Sequence, residues 1–143
     1  MTGEDTTAAK AGREMITGIW TIMGGGKLTS ALICDDRPAV LRAMSDLLRP
    51  LPGLNQIMCV TEGFELIDAF ASREVDLVLI GIHHASTTGA DATSLLLALH
   101  PTAVVIVVGS ATELDVLAAA YVCGARALIL WDPTIPQSGG LIY

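Results

Sequence analysis

Short apolar runs recur along this chain, separated by segments whose apolar residues fall three and four apart. Residues 30–34 (SALIC), 56–61 (QIMCVT), 76–82 (DLVLIGI), 103–108 (AVVIVV) and 126–131 (RALILW) read as strands. They are apolar throughout rather than alternating, as strands buried on both faces are. After the first strand, Val40, Leu41, Met44, Leu47 and Leu48 share one helical face. Pro38 sits near the first turn of that helix, where proline is tolerated, and Pro50 and Pro52-Gly53 end it. Further helices are predicted over 64–71 (FELIDAFA), 90–100 and 112–122 (TELDVLAAAYV), with Thr112 and Asp115 as a capping box. Ahead of the first strand, Met15, Ile16, Ile19, Trp20, Ile22 and Met23 predict an amphipathic helix over 10–23, stopped by Gly24-Gly25-Gly26. Residues 1–9 are small and polar and read as disordered.

Strand and helix therefore alternate along most of the chain. That order predicts an α/β, flavodoxin-like doubly wound sheet of five parallel strands, order 2-1-3-4-5. Its functional site belongs at the carboxyl ends of the strands, by the topological switch point. The division is an N-terminal extension at 1–29, a domain at 30–133 and an irregular tail at 134–143. The helix expected to follow the fifth strand is missing or replaced.

Composition narrows the function classes. A length of 143 residues suits one domain, and 52% hydrophobic with 4% aromatic residues demands an aliphatic core and excludes disorder. A mean hydropathy of +0.58 raises the question of a membrane. No window supplies the roughly 20 continuous apolar residues of a spanning helix. The run Leu77 to Ala90, for example, is broken by His83, His84 and a Ser-Thr-Thr stretch. The net charge is −7, from 8 basic and 15 acidic residues, and the basic ones do not cluster. Direct nucleic-acid binding by this chain and attachment to anionic membranes are thereby disfavoured. Cys34, Cys59 and Cys123 lie in apolar segments without C-x2-C spacing and read as buried reduced thiols of a cytoplasmic protein. The N-terminus does not read as a secretory signal, since its first charges are Glu4 and Asp5. Gly24-Gly25-Gly26-Lys27 fails as a phosphate loop: Thr21 stands for the first glycine, Leu28 for the Ser/Thr, and the glycines precede a strand.

Three stretches together resemble the receiver domains of response regulators. Leu32–Leu48 (LICDDRPAVLRAMSDLL) is similar to the first strand, acidic pair and first helix. Asp76–Gly89 (DLVLIGIHHASTTG) is similar to the third strand and its loop. Pro101–Pro133 is similar to the fourth and fifth strands, with Gly124-Ala125 at the Gly-Ala before the last strand. The style is closest to NarL/FixJ-type regulators of actinobacterial development such as BldM and WhiI. The resemblance implies a CheY-like fold and a phosphoryl-accepting crevice: an acidic pair for Mg²⁺, an aspartate nucleophile, a hydroxyl and a lysine.

Only the acidic pair, Asp35 and Asp36, is present in this sequence. Counting back from Gly89 sets Gly81 at the nucleophile, and glycine has no carboxylate. Counting back from Gly124 sets Gly109 at the hydroxyl, with Ser110 one step off. Trp131 stands at the lysine, and no lysine follows Lys27. The resemblance thus implies a degenerate receiver, with no catalytic residue, no metal and no cofactor. Asp36 is expected to cap the helix after the first strand. Trp131 is expected to plug the space left by Gly81 and Gly109. The alternative is a small-ligand pocket, which His83 and His84 would adjoin.

In the family, a last helix covers the sheet face shared with the first helix. Its absence would bare apolar surface larger than a monomer carries. Either the helix over 10–23 folds back, with Gly24–Gly26 as hinge, or another subunit covers the face. Self-association is the expectation, aided by the N-terminal segment. The function that follows is a non-enzymatic interaction module of an atypical response regulator in transcription control. It would form a homodimer or a heterodimer with another response regulator through Thr112, Leu114, Val116, Leu117 and Tyr121, with Trp131 beside them. Any DNA contact would come from a partner or from a further C-terminal domain.

Overall fold

The computed structural model describes residues 7–24, 28–81, 89–130 and 141–142. Five parallel strands form the sheet: β1 Ser30–Cys34, β2 Gln56–Val60, β3 Leu77–Gly81, β4 Val105–Gly109 and β5 Ala127–Leu130. They lie in the order β2-β1-β3-β4-β5, as the sequence predicts. A short strand β6, Leu141–Ile142, adds an antiparallel edge beside β5. The helices are α1 Thr7–Ile22, α2 Pro38–Leu48, α3 Gly63–Ser72, α4 Gly89–Leu99 and α5 Leu114–Val122.

The uniformly apolar strands have a direct cause. β1, β3 and β4 are buried at every position. Successive side chains point to opposite faces, and each face is roofed by helices. On one face Ile33, Leu79 and Ile106 pack under Met44 and Leu48 of α2. On the other, Leu32, Ile80 and Val107 pack under Leu66, Leu96 and Leu117 of α3, α4 and α5.

The helix ahead of β1 completes the first roof. Met15 and Ile19 of α1 are buried in the same cluster as α2 and the inner strands. Of the two remedies for this face, the fold-back of the N-terminal helix is the one observed. Hydrophobic burial explains the choice, since a tethered helix covers the face without the entropy cost of association.

Two expectations are corrected. Leu117, assigned to a protein interface, is wholly buried in the second cluster and belongs to the core. Only Cys34 is buried, whereas Cys59 and Cys123 are exposed. Cys59 is exposed because β2 is an edge strand, covered less completely than its neighbours. Gly124 has φ +117°, a conformation that closes α5 and that side chains rarely adopt, which accounts for glycine in the Gly-Ala pair.

Asp76 stitches the opening ends of β1 and β3. Its Oδ2 accepts from the Thr29 N–H at 2.9 Å, the Thr29 hydroxyl at 3.0 Å and the Ser30 N–H at 3.2 Å. Partial burial works to raise this carboxyl, but those hydrogen bonds outweigh it and hold it below its ordinary value of 3.8.

The Ile19→Ala substitution is expected to cost about 2–5 kcal/mol, by emptying a filled position under the roof; urea unfolding measures it. For Asp76 the sign is fixed by the depressed value. Its contribution is complete above the ordinary carboxyl pKa and fades as pH falls through the lower folded value. Asp76→Asn is therefore expected to lower Tm at neutral pH and to narrow its gap from the native protein under acid conditions.

Candidate functional site

The carboxyl ends of β1, β3 and β4 lie side by side at one edge of the sheet. The register pairs Cys34 with Ile80, Gly81 with Val108, and Gly109 with Leu130. Asp35 leaves β1 at this edge, where its N–H still donates to the Val60 carbonyl at 3.2 Å. Asp35, Gly81 and Gly109 are thus brought to the same end of the sheet. His83, His84 and Trp131 lie outside the described residues, and so does the expected plugging by Trp131.

Asp35 is 0% exposed and sits directly against Gly81. A Cβ added at position 81 would overlap Asp35 Oδ2 and stand 2.8 Å from its Cγ and 3.1 Å from its Cβ. Gly81 has no positive φ, so the glycine is required by space and not by backbone conformation. The volume opened by the missing side chain is already filled by Asp35.

A buried carboxylate must be compensated, and Arg37 does so. The Arg37 backbone N–H donates to Asp35 Oδ1 at 2.9 Å, Nε donates to Oδ1 at 3.1 Å, and Nη2 donates to Oδ2 at 3.1 Å. This is a two-pronged guanidinium–carboxylate pair reinforced by a backbone donor. Arg37 is 39% exposed, so the pair reaches from the interior to the surface. The bond to Asp35 raises the Arg37 guanidinium above its ordinary value; partial burial opposes this, and the charges of Asp35, Glu113 and Asp36 add to it. Beside Asp35, burial pushes the Cys34 thiol up to about 12, with further contributions from Asp35, Glu65, Glu62 and Asp36. At neutral pH that thiol is uncharged and not a nucleophile.

The expected cap is corrected here. Asp36 is exposed and does not cap α2; the N-cap is Arg37, which has no side-chain cap bond. The carboxylate that meets the start of α2 is that of Asp35, accepting the Arg37 N–H two residues on. The capping box also lies two residues earlier than Thr112 and Asp115. Ser110 and Glu113 form it on the 3₁₀ turn Ala111–Glu113 before α5. The Ser110 N–H and hydroxyl both donate to Glu113 Oε1 at 3.0 Å. Ser110 is engaged in this turn with Glu113 and with the Thr112 hydroxyl at 2.7 Å.

Arg37 is the residue that sequence reasoning missed. Its signal was present as Asp-Asp-Arg-Pro directly after a strand, where an arginine two residues past an aspartate can fold back onto it. Among the remaining assigned residues, Thr112, Leu114, Val116 and Tyr121 are exposed on α5 and the turn before it.

Gly81→Ala is expected to destabilise the fold by about 1–3 kcal/mol, because Asp35 must swing out of a position that Arg37 pins. In an Asp35→Ala background the same change should cost far less. Denaturation of the two singles and the double gives the coupling directly.

Comparison with known proteins follows this geometry. Residues 31–133 match the family model described as the response regulator receiver domain. Over 89 residues the chain is 30% identical to a protein-glutamate methylesterase/protein-glutamine glutaminase of Nitrosospira multiformis. That match covers 62% of this chain and 25% of the relative, so the chain spans about a quarter of its length. Among solved structures, CheY in a CheX-CheY-BeF3-Mg²⁺ complex from Borrelia burgdorferi aligns with TM-score 0.66 at 19% identity, over 78% of this chain and 85% of that one. A signal receiver domain of an HD domain-containing protein from Pseudomonas fluorescens aligns with TM-score 0.65 at 23% identity, over 76% and 81%. The RcsB response regulator of Salmonella typhimurium aligns with TM-score 0.64 at 17% identity, over 76% and 55%. At these identities the structural likenesses speak for the fold, and the match over residues 31–133 gives the family: this chain belongs to the response regulator receiver domains of two-component signalling.

Proposed function

We propose that this chain is a phosphorylation-independent pseudo-receiver, a non-enzymatic interaction and dimerisation module of an atypical, cytoplasmic response regulator in transcription control. One observation carries the reading. Where the family places its phosphoryl acceptor, this chain has Gly81, and the adjacent carboxylate of Asp35 is wholly buried with both oxygens bonded to Arg37. A carboxylate so engaged is neither accessible nor available as a nucleophile.

The exposed side of α5 supports interaction as the working mode. Leu114 is 48% and Tyr121 50% exposed, and with Leu128 and Leu130 they line an apolar cavity of about 420 Å³. Apolar surface held open beside a folded core is a usual feature of protein contact sites. Thr112 and Val116 are exposed as well, and Leu117 drops out because it is core. The structural neighbour RcsB is described as undergoing conformational dynamism for DNA interaction, which is consistent with a transcriptional setting. The methylesterase name of the Nitrosospira relative is not carried over, since the match covers only 25% of that protein. The rival reading, a small-ligand sensor in the vacated pocket, loses the room it needs at Gly81 to Asp35.

Incubation of the full chain with acetyl phosphate and Mg²⁺, followed by intact mass and light scattering, tests the proposal. The expected result is an unchanged mass and a concentration-dependent dimer that the phosphodonor does not alter. A stoichiometric phosphoryl adduct would overturn phosphorylation independence, and a monomer at every concentration would overturn dimerisation.

A further inference from the structure

Receivers that resemble this chain hold a divalent cation beside their acidic pair, and the residues present here do not fit one. Magnesium demands near-octahedral oxygen ligands and keeps several of its waters. Both oxygens of Asp35 are already engaged by Arg37: Oδ1 accepts two of its donors and Oδ2 a third, and the residue is wholly buried. Asp36 is exposed, whereas Asp35 is wholly buried. Among the described residues no group of three or more His, Cys, Asp and Glu side chains converges as metal ligands.

We propose that Arg37 is the resident counter-cation of the crevice, its guanidinium neutralising Asp35 in place of a divalent metal, so that the crevice is ordered without metal. The inference extends the proposed function from the absent acceptor to the metal. The two can fail separately. A guanidinium suits the task because it is permanently charged and its planar fork matches both oxygens of a carboxylate. It is also tethered two residues away, so a metal ion from solution competes against a cation that is always at hand. Charges other than Asp35 favour the same arrangement. Asp36 beside it and Glu113 on the turn after β4 both stabilise the cation.

Gly81 belongs to the same arrangement. The Asp35 conformation that reaches Arg37 fills the space at position 81, so a side chain there and the Asp35–Arg37 pair exclude each other. Restoring an acid at position 81 would not by itself rebuild a receiver site. The added carboxylate would collide with Asp35 and add like charge to it.

The test uses the full ¹⁵N-labelled chain, titrated with Mn²⁺ and with Mg²⁺. In the native protein Mn²⁺ is expected to cause no selective broadening of the amides of Cys34–Arg37 and Ile80–Gly81. The Arg37 Nε–H resonance is expected to hold its position as Mg²⁺ is added. In Arg37→Ala and Arg37→Gln, Mn²⁺ should broaden those same amides, since Asp35 is released to turn toward Asp36. Selective, saturable broadening in the native chain overturns the proposal, as does loss of the Arg37 Nε–H signal with Mg²⁺. Folded variants that remain unbroadened overturn it too. If neither variant folds, the native Arg37 Nε–H signal decides alone. A phosphoryl adduct would sink the proposed function and leave this inference standing, whereas manganese broadening in the native chain would do the reverse.

Discussion

A parallel sheet must be covered on both faces, and the rest of this molecule follows from that constraint. Its strands cannot alternate polar with apolar residues, because neither face may meet water. Among the described residues two helices lie on one side and three on the other, each burying part of its apolar surface in one of two separate cores. The usual order of elements in the family supplies the first roof from a helix after the last strand. Here the second helix of that roof comes from before the first strand, and α1 does the covering. What the core requires is an apolar stripe of the right width in the right place. It does not require a particular point of origin along the chain. The consequence reaches the surface: with that face closed by the chain itself, association, if it serves function, must use another side, and the exposed flank of α5 is the one the structure offers.

The same economy governs the crevice at the carboxyl ends of the strands. A carboxylate taken wholly out of water needs donors or a counter-charge. Asp35 obtains both from one residue, through the backbone and the guanidinium of Arg37. That solution uses the space that glycine at position 81 leaves open. Acceptor, metal and counter-ion are therefore linked choices in this pocket. In the proposed reading, loss of the acceptor and replacement of the metal are two aspects of one rearrangement around Asp35. A signalling module built this way would present its surface continuously, with its state set by which partners are bound.

Much of this was legible in the sequence, and for identifiable reasons. The fully apolar strands, the helical spacing of Val40, Met44 and Leu48, and proline at the first turn of α2 are local patterns, set by side-chain periodicity and backbone sterics. They determined the element order and the parallel sheet. The absence of a carboxylate at position 81 was equally plain, because a residue's chemistry needs no structure to be read. Other features depended on contacts between distant segments. The sequence showed an apolar stripe on α1 but not the face it would cover, and it could not separate Leu117, which is core, from Leu114 and Tyr121, which are exposed, on a helix apolar nearly all round. Nor could it show that Cys59 falls on an edge strand, or that Asp35 rather than Asp36 turns inward to Arg37 and fills the room beside Gly81. Periodicity and residue chemistry act within a few positions of each other, and so they are written in the chain. Which face is shielded, and which charge is buried, is decided only when segments far apart in sequence compete for the same volume.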